Sequence, residues 1–189
     1  KLLAAQAVGK SGRITAAAGL FDFEADRGDP DRLLLLDDNG SRDYTVLALN
    51  GRYVLPLRGK PLAIGADLYR NLRNYRHSAD PISRAYADQR TGYVLSASLG
   101  DTAKAGHFEL GYRYFRMEKL AVDASYAHDD VARFGTPSEA SLTDLEGHDL
   151  YANYALSRSL TAGFRVMIVH RITNAENGKR ARFDIIFSF

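Results

Sequence analysis

Segments of about ten residues that alternate apolar and polar recur along this chain, and no long segment carries a 3.6-residue apolar stripe. Period-two alternation belongs to β-strands whose two faces meet unlike surroundings. Eight such segments stand out: RITAAAGLFDF, YTVLALNGRYVL, LAIGADLY, TGYVLSASL, HFELGYRYF, GHDLYANYAL, LTAGFRVMIVH and ARFDIIFSF. A partial strand, KLLAAQAVGKSG, precedes them, with GKSG as its turn. Eleven tyrosines, nine phenylalanines and sixteen glycines against five prolines agree with β structure.

The breaks between segments are alternately short and long. PLRGKP, GDTAKAG and SRS are short; residues 24–43, 74–90 and 118–145 are long and polar, and ITNAENGKR forms a last loop. Short turns on one side and long loops on the other are how a transmembrane barrel meets its two compartments. Strands of ~9–11 residues suffice to cross the hydrocarbon when tilted. The expected fold is therefore all-β, an antiparallel up-and-down transmembrane β-barrel with about eight strands visible. A lipocalin-like soluble barrel would also alternate, but this loop rhythm is foreign to a Greek key. Aromatics near strand ends (Phe21, Tyr44, Tyr53, Tyr69, Tyr93, Phe115, Tyr154 and Phe189) are expected to supply two interfacial girdles.

Bulk properties exclude several classes. The longest apolar runs, LLLL and VMIV, fall far short of the ~20 residues of a membrane-spanning helix. A net charge of +2, from 25 basic and 23 acidic residues, argues against a nucleic-acid partner, which needs a concentrated basic face. Absence of cysteine excludes disulfide scaffolds and cysteine-based zinc sites.

The final segment ends on an aromatic. Phe183, Ile185, Phe187 and Phe189 fall on one face, and Arg182, Asp184 and Ser188 share the other with Ile186. This terminal strand resembles the C-terminal targeting signal of Gram-negative outer-membrane proteins, which the barrel-assembly machinery recognises. ITAAAGLFDF, GYRYFRMEKLAVDASYAHDD and GHDLYANYALSRSLTAGFRV in turn resemble strands and hairpins of outer-membrane porins. The likeness covers most of the chain after residue 12, carried by alternation and composition. Such porins are longer, with about twice as many strands. The resemblance thus implies that residues 1–189 form a single β-barrel domain, the C-terminal portion of a longer porin chain. Its partners would be outer-membrane lipid, the assembly machinery during biogenesis, and a homo-oligomer or a barrel-bound partner. Strand number bears on function, since eight strands leave an interior that side chains fill and ~16–18 leave an aqueous channel. The expected function is passive diffusion of small hydrophilic solutes or ions. The alternative is a closed eight-stranded barrel acting through its loops.

If the apolar faces meet lipid, parity puts Arg52, Asp67, Arg73, Glu109, Arg113, Asp149, Arg165, Arg182 and Asp184 on the lumen side. Rings of such side chains tune ion selectivity in pores. Arginines outnumber carboxylates here, so weak anion preference is one expectation, and mutual neutralisation in a structural network is the plainer one. No GxSxG or HExxH occurs, so no enzyme is expected. SYAHDD and DLEGHD set histidines beside carboxylates, for which solvated loop polarity is the plainer reading. No metal or cofactor is expected.

Overall fold

A computed structural model describes residues 1–25, 42–123 and 143–188. Nine strands form one sheet in chain order: β1 (Leu2–Ser11), β2 (Ile14–Phe23), β3 (Tyr44–Leu57), β4 (Lys60–Asn71), β5 (Thr91–Gly100), β6 (Phe108–Met117), β7 (Leu145–Ala155), β8 (Leu160–Arg171) and β9 (Asn177–Phe187). Every neighbouring pair is antiparallel. The sheet is all-β and up-and-down, and it is open: β1 and β9 each have a strand on one side only. The expected partial first strand is a full one, β1, paired with β2 along its whole length.

Local chemistry fixes the hairpins. PLRGKP shrinks to a two-residue turn at 58–59, because Arg58 and Gly59 both adopt positive φ, 50° and 78°. That is the backbone a tight hairpin needs to match the twist of its strands, and glycine supplies half of it without strain. The loop expected over ITNAENGKR is shorter than the sequence indicates. Nothing in NGKR breaks the ladder, so Asn177 pairs with His170 and Lys179 with Ile168, leaving only residues 172–176 as the turn. Arg171 closes that turn through an ion pair to Glu176 at 3.1 Å.

Residues directly opposite one another across a ladder share a face. One cross-sheet row reads Ile14, Tyr53, Ile64, Ala97, Tyr112, Leu150, Val166 and Ala181. This outer face is exposed: Ile64, Leu95, Leu150 and Phe164 all stand near half accessible. The opposite, inner face is buried around β7 and β8, where Met167, Val169 and Asp149 are at 2% exposure or less, and open at β1 and β3, where Lys10 and Arg52 are exposed.

The aromatic girdles differ from expectation. Tyr53, Tyr93 and Tyr154 lie on the outer face, but register puts Phe21, Tyr44, Tyr69 and Phe115 on the inner one, each opposite inner-face residues such as Val46, Phe23, Gly92 and Gly147. Position near a strand end does not determine side, whereas parity does. Phe189 lies outside the described residues. Outer-face aromatics gather instead around Tyr93, Tyr114 and His148 toward the long-loop end, with ring separations of 6.0 and 5.3 Å. Phe108, Tyr154 and Phe187 occupy the short-turn end.

A small polar and apolar cap sits where the long connections leave the sheet. Tyr75, Ala87 and Leu120 pack together, with Tyr86 beside them. Asn71, fully buried, donates to Tyr75 Oη (3.0 Å) and to the Leu120 carbonyl (2.8 Å). Tyr75 Oη in turn donates to the Asp43 carbonyl at 2.6 Å. Next to this cluster, α1 (Pro81–Ala85) starts on Asp80, whose carboxylate accepts from the Ile82 and Ser83 amides, with proline in the first turn. This is ordinary helix capping, legible in the string DPIS.

Candidate functional site

The inner face carries most of the chain's strand-borne charge. On the row through its middle stand Lys10, Thr15, Arg52, Gly65, Ser96, Arg113, Asp149, Met167 and Arg180. Asp149 is the hub of one half. Arg165, one strand over, grips it bidentately, Nε to Oδ1 at 2.8 Å and Nη2 to Oδ2 at 2.7 Å. From the other side Arg113 donates to the same Oδ2 at 3.3 Å. Paired forks of this kind satisfy a carboxylate that burial alone would make costly.

A second set adjoins it. Tyr151 lies with its ring 4.9 Å from the Arg113 guanidinium, and its hydroxyl donates to Glu109 at 3.4 Å. Asn153 also donates to Glu109, at 3.2 Å. Gly111 makes room for that tyrosine, since a Cβ there would fall 2.0 Å from the Tyr151 ring. Arg182 pairs with Asp184 at 2.8 Å on β9, and Asn50 donates to Asp67 between β3 and β4.

The strand-borne members of the sequence-derived set (Arg52, Asp67, Glu109, Arg113, Asp149, Arg165, Arg182 and Asp184) share this inner face by register. Arg73 does not join them: it follows the end of β4 and pairs with Asp22 at 3.2 Å, a residue on the outer-face parity. Arg113, Arg165 and Arg182 are ion-paired. The Arg52 side chain makes no hydrogen bond or ion pair among the described residues. Of the terminal set, Phe183, Ile185 and Phe187 project on the outer face of β9, and Phe183 and Phe187 are about two-thirds exposed. Phe189 lies outside the described residues.

Sequence reasoning missed the cap. Arg42, buried just before β3, donates through Nε to Asp80 Oδ2 (2.7 Å) and Ser83 Oγ (2.9 Å). Burial pushes the Asp80 carboxyl up, but the hydrogen bonds of Arg42 and Ser83 and the charge of Arg42 prevail and hold it at about 2. Burial likewise pushes the Tyr75 hydroxyl up to about 12, partly offset by the Asn71 hydrogen bond. The helix-capping string was a usable signal; nothing local marks Arg42 as its partner 38 residues away.

Among the described residues the histidines and their neighbouring acids are dispersed. His107 pairs with Asp101 (2.9 Å), His148 with Tyr112 (2.8 Å), and His170 with Asn177. In DLEGHD, Asp144 turns to Thr173 and Lys119 while Glu146 pairs with Arg116, so the three potential ligands do not converge. Among the described residues no group of three or more metal-ligating side chains assembles. SYAHDD lies outside them. No family model matches the chain, and neither a curated protein nor a solved structure does.

Proposed function

We propose that this chain is part of a transmembrane β-barrel of the Gram-negative outer membrane that lets small hydrophilic solutes or ions diffuse passively along its charged inner face. The observation that carries the reading is the division of one sheet into an exposed apolar face and a charged one. The outer face presents Leu49, Ile64, Leu68, Leu95, Leu110, Leu150, Phe164 and Phe183 to its surroundings. Most of these side chains are about half exposed, so leaving each in water forfeits about 1 kcal/mol, and a hydrocarbon environment suits this face. Outer-face aromatics at both ends of the band fit headgroup level. Outer-membrane lipid is then the first partner, with the assembly machinery engaging Phe183, Ile185, Phe187 and Phe189 during biogenesis. A homo-oligomer or a partner held by the barrel belongs to the same proposal, and no enzyme, metal or cofactor does.

A second reading, a closed eight-stranded barrel working through its loops, draws on the cap. Arg42, Asp80, Ser83, Asn71 and Tyr75 give the loop end a fixed shape of the kind a binding surface needs.

Planar-bilayer conductance of protein extracted from its own membrane tests both. Stepwise ohmic openings, with a reversal potential under a salt gradient, are expected of the pore. A protein that inserts and never conducts would sink the pore and leave the loop-based role.

A further inference from the structure

Toward the short-turn end, mostly on the inner face, lies a groove of about 620 Å³ whose lining includes Lys10, Arg13, Thr15 and Arg52 with Val54 and Pro56, and no carboxylate. Its shape follows from register. Ile14, the first residue of β2, pairs with Tyr53, but β3 continues to Leu57, so the β3–β4 hairpin overhangs the β1–β2 turn. Lys10, Thr15 and Arg52 are consecutive partners across three strands. With strands ~4.8 Å apart, the two cations leave the backbone about 10 Å from each other, with a hydroxyl between them.

The side chains of Lys10, Arg13 and Arg52 make no ion pair or hydrogen bond among the described residues, whereas that of Arg113 on the same row as Lys10 and Arg52 is held by Asp149. The ammonium of Lys60 lies over the Phe108 ring. Asp67 is the acid nearest Arg52 by register, and it is engaged by Asn50. Three like charges lining one groove repel one another, and a multivalent anion would relieve that repulsion. An arginine fork beside an ammonium and a hydroxyl offers donors matched to a tetrahedral oxyanion.

We infer that this groove binds a phosphate group, through Arg52 and Lys10 with Arg13 at its mouth. Binding is an equilibrium property and does not rest on the channel reading.

The test titrates the full chain, in a non-ionic detergent at low ionic strength, with inorganic phosphate by calorimetry, and in parallel with phosphatidylglycerol added to the micelles. Saturable binding is expected, weakened about tenfold by Arg52→Gln and unchanged by Arg84→Gln on the distant helix. Should Arg52→Gln fail to give a β-sheet spectrum, Lys10→Gln on the exposed edge strand carries the comparison. Saturation by inorganic phosphate assigns the group to a soluble solute. Saturation by phosphatidylglycerol alone, still weakened by the substitutions, assigns it to a lipid headgroup. Binding of neither, or binding indifferent to Arg52 and Lys10, overturns the inference.

Discussion

Arg52 and Arg113 occupy the same cross-sheet row, three strands apart, yet one is free and the other is bound into a network. The difference lies in what stands opposite. Arg113 faces Asp149, which Arg165 also grips, while Arg52 faces Thr15 and Gly65. Whether a strand-borne charge is structural or available is decided by its cross-strand neighbours, which its own strand does not reveal. On β6–β8 the inner-face charges pair with one another, whereas on β1–β3 the side chains of Lys10 and Arg52 stand without an ion pair among the described residues.

The sharpest way to break that contrast is Asp149→Asn. It strands two arginines on a carboxylate site that is 2% exposed, and it is expected to cost about 3 kcal/mol. Urea unfolding in detergent micelles reads this directly, and an unchanged midpoint would dissolve the network. Next in size is Gly111→Ala. Its methyl must displace the Tyr151 ring, with its Arg113 stacking and Glu109 bond, at about 1–3 kcal/mol by the same measurement.

The cap gives a pH-dependent contrast, because it ties together the connections at the loop end of β3–β5. Asp80 titrates near 3.8 when unfolded and at about 2 when folded. Its contribution, about 1 kcal/mol once solvent screening is allowed for, is present in full above the unfolded value and is lost as pH falls through the folded one. Acid titration of wild type against Asp80→Asn should therefore show the two stabilities converging below pH 4. Parallel curves down to pH 2 would remove Asp80 from the account. The smallest effect belongs to Arg52→Gln, which removes no partner contact and should shift stability by no more than about 0.5 kcal/mol. A larger loss would mean that Arg52 is structural after all.

Alternation made the sheet, its strand order and most strand bounds legible in the sequence, because period two is imposed residue by residue. The same parity assigned every strand-borne member of the charged set to one face. Arg73 escaped it, since parity has no meaning past the end of a ladder at Asn71. The inner-facing aromatics escaped through reliance on strand ends in place of parity. Pairings such as Arg165 with Asp149, or Arg42 with Asp80, were not legible, since they depend on register and on loop return rather than on local pattern.

The open edges carry a consequence of a purely arithmetical kind. In a meander, strand direction reverses at every step, so β1 and β9, both odd-numbered, run the same way. Bringing those two edges together would join them in parallel, against the sense of every other ladder in the sheet. A wholly antiparallel closed wall takes an even total, reached either by leaving β1 aside so that β2 meets β9, or by inserting an odd number of further strands between the edges.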